Sequence, residues 1–316
     1  MKILVAEPDG FSEPARLALE RLGELEMRHT VQSELPAAMD NYDVVWFRLA
    51  LRIDERLIKR PTRRCRFICT PVTGIDHIDV AACNAAGVQV ISLKGEREFL
   101  RRVRATAEHT LGLTLALLRH VVDSANHVRA GGWDRDRFRG SEVFEKTVGI
   151  VGYGRLGAIT AEYFSALGAR VLAHDPHIGP TGAVEQCDSL ASLLGQSDIV
   201  SLHVNLDEST RHLIGAVQLS QIKGGAVLIN TSRGGIVDEA ALLAALTSGQ
   251  LAGAACDVLQ GEPGIDSTHC LVRYAHDHAN LLITPHIGGN TAESFVKTEL
   301  FLAQKLALAA DAPRAR

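Results

Sequence analysis

The chain has 316 residues, 46% hydrophobic and 22% charged, with a formal net charge of −4; this balance excludes intrinsic disorder and argues against a general nucleic-acid binder. No run reaches the roughly 18 apolar residues of a membrane span, and the opening "MKILVAEPDG" has no signal-peptide core, so a cytoplasmic protein with neither nucleic acid nor membrane as partner is expected. Six scattered cysteines form no matched CxxC pairs, which points to free thiols and no structural metal.

In chain order, strand-like runs at 2–7, 43–48, 66–70 and 88–92 alternate with helical stretches at 13–23 and 77–87, the signature of a parallel sheet covered by helices. Residues 98–128 keep three- and four-residue apolar spacing and are expected to form one long helix bridging into a second domain. A second alternation places strands at 147–152, 169–175, 198–204, 226–232, 251–258 and 280–286. The stretch 290–310 reads as an amphipathic helix, with Asn290 and Glu293 spaced as a capping box, that packs back on the first domain; the tail 311–316 is expected to fray. The expected fold is α/β with two doubly wound parallel-sheet domains. A flavodoxin-like domain takes residues 1–100 plus 287–316, and a Rossmann domain takes 101–286.

"TVGIVGYGRLGAI" sets Gly152, Gly154 and Gly157 in GxGxxG spacing between a strand and a helix. The glycines allow a tight turn and close backbone approach, and the helix N-terminus offers free N–H groups to a pyrophosphate. Asp175, 18 positions beyond Gly157 at the end of the next strand, suits the ribose hydroxyls and repels a 2′-phosphate, so NAD is preferred over NADP.

Later strand ends carry the chemistry. "LINTSRGG" puts Arg233 where a planar cation could hold a substrate carboxylate, with a surface arginine capping a loop as the alternative. The next strand leads through Asp257 to Glu262, and "LLITPHIGG" ends the last one at His286. A lone histidine behind a proline is more often a turn residue. Beside an arginine and a glutamate delivered to the same sheet edge, it reads as the proton donor for hydride chemistry on a 2-oxo or 2-hydroxy acid, kept charged by Glu262.

Together with "TGIDHIDVAACNAAGVQV", "ATAEHTLGLTLAL", "HVNLDESTRHLIG" and "DVLQGEP", these motifs resemble the D-2-hydroxyacid dehydrogenase family over essentially the whole chain. The resemblance implies a substrate domain made from both chain ends, an inserted NAD domain and a homodimer formed largely through that NAD domain. It implies Arg233, Glu262 and His286 as the catalytic set, and Arg155 and Leu156 at the pyrophosphate. Val204, Thr231, Ser232 and Gly288 would line the cofactor, Asp257 would face the nicotinamide carboxamide, and backbone groups of Val72, Thr73 and Gly74 would share the substrate carboxylate with Arg233. Two features depart from the family pattern: Asn205 follows "HV" where proline is usual, and 24 positions separate Glu262 from His286. The regulatory domain appended in some relatives has no counterpart here, so feedback through such a domain is not expected.

Arg97, Arg101, Arg102 and Arg104 crowd the start of the expected long helix, where cations oppose the dipole, and Arg48, at a strand end, is expected to point to the same interdomain cleft. Arg48, Arg97 and Arg101 are therefore candidates to bind a second anionic group, a phosphate or phosphonate, on a small 2-oxo or 2-hydroxy acid; a solvated basic face is the alternative. A NAD-sensing corepressor or scaffold is the competing function on the same fold. A formate or phosphite oxidase fits less well, because formate enzymes replace the glutamate partner with glutamine and Glu262 is present.

Overall fold

The computed structural model describes residues 1–311. Of the expected frayed tail only Asp311 is among them, closing the last helix; the remainder lies outside the described residues. The chain divides into two compact units, Arg104–Gly289 and the described residues on either side of it.

The first unit holds a five-stranded parallel sheet: β1 (Lys2–Val5), β2 (Glu24–Met27), β3 (Val44–Trp46), β4 (Phe67–Thr70) and β5 (Gln89–Ser92), in spatial order β2-β1-β3-β4-β5. β3 and β4 are buried throughout, because a parallel sheet covered on both faces turns its strands into continuous apolar runs. β2 reads ELEM and is partly exposed. As an edge strand it carries no apolar run, which is why the sequence did not announce it.

The terminal helix Ala292–Asp311 belongs to this unit: Leu302, Ala303 and Leu306 share one core with Ile3, Val5, Val44 and Trp46. Its first turn is held by Thr291, whose hydroxyl accepts the Ser294 N–H at 3.1 Å, and not by the expected Asn290–Glu293 box.

The second unit holds seven parallel strands: β6 (Thr147–Val151), β7 (Arg170–His174), β8 (Glu185–Gln186), β9 (Ile199–Leu202), β10 (Ala226–Asn230), β11 (Leu251–Cys256) and β12 (Leu281–Ile283). The spatial order is β12-β11-β10-β9-β6-β7-β8. The order reverses between β6 and β9, and the carboxyl ends of those strands open the crevice where doubly wound sheets bind ligands. The α/β architecture expected from the sequence is therefore present.

The expected long helix over 98–128 is three helices, Arg97–Leu100, Ala105–Leu118 and Val121–Arg129. His120, at φ +50°, redirects the chain between the last two. Leu113 and Leu117 pack with Val148, Ile150 and Ile229 against the sheet, whereas Val121–Arg129 buries none of its residues. Apolar spacing marked helical residues correctly but could not register the change of direction. Among the described residues no helix is long and apolar enough to cross a membrane, and all six cysteines are free.

Candidate active site

The glycine turn follows β6. Gly152 sits at φ +90°, and a Cβ there would stand 2.7 Å from Val204 Cγ1 and 2.9 Å from the His203 carbonyl carbon, so the end of β9 closes directly over it. A Cβ on Gly157 would lie 2.1 Å from the Gly152 oxygen, so this glycine lets the helix Arg155–Ala166 pack on its own turn. Gly154 differs: a Cβ there would meet nothing within 4 Å. It caps the helix without a side-chain hydrogen bond, and the space beside it at the helix N-terminus is open.

Asp175 follows β7. One carboxylate oxygen accepts the Tyr153 N–H at 2.8 Å, and the other accepts the His177 and Ile178 N–H groups at 2.8 and 3.1 Å. The carboxylate thus ties the glycine turn to the end of β7, where a ribose would lie beside it. These features fit a dinucleotide, with the diphosphate at the helix N-terminus and the sugar at Asp175.

After β10, Thr231 and Ser232 turn the chain towards Arg233. The Thr231 hydroxyl lies 2.8 Å from that of Thr110, and the Ser232 hydroxyl donates to the Leu202 carbonyl at 2.5 Å. The buried Asn230 side chain spans the turn, donating to the Arg233 carbonyl and accepting the Ser232 N–H. Arg233 Nη1 donates to the Ser232 carbonyl at 2.9 Å. A Cβ on Gly234 would lie 2.1 Å from the Leu259 carbonyl carbon. This close approach sets the arginine turn against the loop after β11, whose Leu259 N–H donates to Glu262 at 2.5 Å.

The other oxygen of Glu262 lies 2.5 Å from His286 Nδ1. His286 itself is in the left-handed region at φ +55°, where a side chain is disfavoured. Its N–H donates to the Asp257 and Thr284 carbonyls at 2.8 and 3.0 Å. The Asp257 carboxylate accepts the Thr284 hydroxyl at 2.6 Å, the Ile287 N–H at 2.9 Å, the Gly288 N–H at 2.7 Å and His109 Nε2 at 3.2 Å. Burial works to raise its pKa, yet these hydrogen bonds, that from His109 foremost, hold the carboxyl below its ordinary value.

Within this unit a cavity of about 660 Å³ is bordered by Glu262, His286, Leu117 and Asn126, and by Val272 and His278 of the long segment after Glu262. That segment contains a helix, Cys270–Asp277, and His269 at its start pairs with Glu239 at 3.2 Å. Arg233 does not border this cavity.

Residues 111–288 match the family model described as D-isomer specific 2-hydroxyacid dehydrogenase, NAD binding domain. The chain belongs to the D-isomer-specific 2-hydroxyacid dehydrogenase family. Its second unit is the family's NAD-binding domain, and the cofactor is NAD. The chain is 31% identical over 300 residues to a hydroxypyruvate reductase of Thermotoga maritima, covering 94% of this chain and 95% of that one. It is 31% identical over 309 residues to a D-3-phosphoglycerate dehydrogenase of Synechocystis, covering 96% of this chain but 53% of that one, so it spans about half the length of that relative. A D-lactate dehydrogenase from Aquifex aeolicus, solved with NAD and lactic acid, superposes with a TM-score of 0.85 at 26% identity, covering 98% of this chain and 95% of that one.

Of the expected family residues, Gly152, Gly154, Arg155, Leu156, Gly157, Asp175, Val204, Thr231, Ser232, Asp257 and Gly288 gather at the carboxyl ends of the second unit's strands. Asp257 is 2% exposed and already accepts four hydrogen bonds, so much of its capacity holds the turn at 284–288. Val72, Thr73 and Gly74 lie in the first unit beyond β4, where the Val72 carbonyl accepts the Leu93 N–H at 3.1 Å.

The second-anion residues require correction. Arg48 is committed elsewhere: Nη2 donates to the fully buried Glu299 at 2.7 Å, Nη1 donates to the Glu7 and Asp9 carbonyls, and the guanidinium stacks 4.2 Å from the Phe295 ring. Its work is to hold the terminal helix to the sheet. Arg97 and Arg101 are exposed in and after a separate four-residue helix, so they do not oppose the dipole of the helix Ala105–Leu118. Arg104, at that helix's start, pairs with Glu162 at 3.2 Å. The helix-dipole argument for a phosphate or phosphonate on the substrate, and Arg48's part in it, therefore lose their support. The sequence did not single out His109 or Thr284; a histidine in the helical stretch 105–118, followed by the apolar run from Leu111 on, was the available signal.

Proposed function

We propose that this chain is an NAD-dependent dehydrogenase that interconverts a 2-oxo acid and a D-2-hydroxy acid. The observation that carries the reading is the 2.5 Å contact between His286 Nδ1 and Glu262, in an NAD-binding domain whose neighbouring loop presents Arg233. Nicotinamide, when bound, supplies or takes up the hydride.

Glu262 accepts the hydrogen bond from His286 Nδ1–H and so leaves Nε2 as the nitrogen that exchanges a proton with substrate. In reduction, Nε2 gives its proton to the carbonyl oxygen; in oxidation, it takes one from the hydroxyl. Arg233 holds the substrate carboxylate through its planar guanidinium and fixes which face of C2 is presented. Arg155 and Leu156 meet the diphosphate and Asp175 the ribose, while Val204, Thr231, Ser232, Asp257 and Gly288 line the nicotinamide side. A single carboxylate on a small acid satisfies this set.

We also assign a cytoplasmic setting, in keeping with six free thiols, and a homodimer through the NAD domain. The dimer is supported by the apolar residues left outward on that domain: Val121, Val122 and Val128 are 51%, 44% and 49% exposed, and Trp133 is 88% exposed.

The test is loss of NADH absorbance with a panel of 2-oxo acids, followed by chiral analysis of the product. Turnover giving the D-isomer supports the reading. NADH binding without turnover of any 2-oxo acid rejects it in favour of a sensor or scaffold.

A further inference from the structure

We infer that His109 is a positioning residue for His286, acting through Asp257; this rests on the reading of His286 as the proton-exchanging group. Residue 257 grips three consecutive N–H groups of the histidine's turn: its carbonyl takes that of His286 at 2.8 Å, and its carboxylate takes those of Ile287 and Gly288 at 2.9 and 2.7 Å. The grip holds His286 at φ +55°, a left-handed conformation that an L-residue rarely adopts unless its surroundings enforce it. The imidazole's direction thus depends on Asp257 keeping a charged, fully accepting carboxylate in a site only 2% exposed.

Thr284 Oγ1–H and His109 Nε2–H converge on the same carboxylate oxygen, at 2.6 and 3.2 Å. The Thr284 hydroxyl is itself 3.1 Å from His109 Nε2, so one imidazole nitrogen serves both atoms. His109 projects from the helix Ala105–Leu118, which lies directly on the turn: a Cβ on Gly288 would stand 3.2 Å from Thr106 Cγ2 and 3.7 Å from His109 Cδ2. Without the His109 donor, a buried carboxylate loses one of its four hydrogen bonds and binds a proton more readily. Once protonated it cannot accept all the remaining donors, and the turn carrying His286 is free to relax out of its left-handed conformation. Small displacements of a proton donor are costly in rate while leaving ground-state binding largely intact.

The experiment compares His109→Leu, His109→Gln and His109→Asn in the full chain, reading kcat and KM for a turned-over 2-oxo acid, NADH affinity by fluorescence, and the His286 ring nitrogens by NMR of the ligand-free protein. The glutamine amide reaches the place of Nε2, whereas the asparagine amide falls one bond short. The expected result is that His109→Leu lowers kcat about 10- to 100-fold with KM and NADH affinity held within about threefold. His109→Gln recovers most of that loss, and the single-tautomer signal of His286 broadens only in the leucine and asparagine forms. If the leucine variant does not fold, the glutamine and asparagine forms decide by the same readouts. Unchanged kcat and ring signals in all three, or equal losses for Gln and Asn, overturn the inference. An inactive wild type would reject the proposed reaction, and the ring signals of the ligand-free chains would still decide the positioning.

Discussion

His286 and Glu262 stand 24 positions apart in the chain and 2.5 Å apart in the fold, and the division of labour between them can be measured. If His286 carries the proton as proposed, replacing it with Asn is expected to lower kcat about 10²- to 10⁴-fold, the usual contribution of general acid–base catalysis. NADH affinity should stay near the wild-type value, and a drop of less than tenfold in kcat would assign the proton to another group. Arg233→Lys keeps the charge but loses the two-pronged geometry, so the 2-oxo acid's kcat/KM should fall by about tenfold or more while NADH binding persists. Wild-type kcat/KM in that variant would remove Arg233 from carboxylate binding. At this scale the strand-end positions of Arg233, Glu262 and His286 were visible in the sequence, but the partner of Arg48 was not: a strand-end arginine looks the same whether it meets a ligand or a buried glutamate.

The glycine turn separates packing from binding within one element. A methyl on Gly157 would lie 2.1 Å from the Gly152 oxygen, so Gly157→Ala must push the helix off β6 and is expected to cost about 1–3 kcal/mol. Gly154→Ala meets no protein atom within 4 Å and should leave the melting temperature close to wild type while weakening NAD affinity. Calorimetry of both variants with and without NAD checks the contrast; equal loss of stability in the two would mean the open side of Gly154 is not where the cofactor lies. The glycine spacing and its flanking strand and helix were legible because a tight strand-to-helix turn admits few residues. β2 and β8 were not, since edge strands of mixed polarity carry no periodic signal.

Across the molecule, two side chains bear directly on the stability of the fold. Glu299 is fully buried and accepts the Ser12 N–H at 2.7 Å and the Arg48 guanidinium at 2.7 Å. Glu299→Ala leaves that arginine, 15% exposed, without its counter-charge and should cost about 3–5 kcal/mol in urea unfolding; a loss under 1 kcal/mol would contradict the anchoring role. Burial pushes the His203 imidazole down to about 3, and its Nε2 lies 2.9 Å from the Ser201 hydroxyl. Below pH 6.5 the unfolded chain takes a proton on this residue that the folded chain refuses until about pH 3, so this residue's contribution to stability falls as the pH drops through that window. A foldable neutral replacement, His203→Gln, should show a shallower fall over the same range, and parallel curves would place the histidine in water. The proposed dimer is tested by sedimentation, with Trp133→Glu expected to yield monomer.

Legible along the chain were the two parallel sheets, the glycine turn with its acidic partner, and the arginine, glutamate and histidine at successive strand ends. Buried parallel strands are continuous apolar runs, and a turn into which a helix packs this closely, as at Gly152 and Gly157, admits only glycine, so both leave local marks. Tertiary structure alone decided that Arg48 anchors a helix, that the helical stretch after Arg97 breaks at His120, and that His109 meets an aspartate 148 residues away. Each of these depends on which distant group occupies the far side of a hydrogen bond or a turn, and no short stretch of chain carries that information.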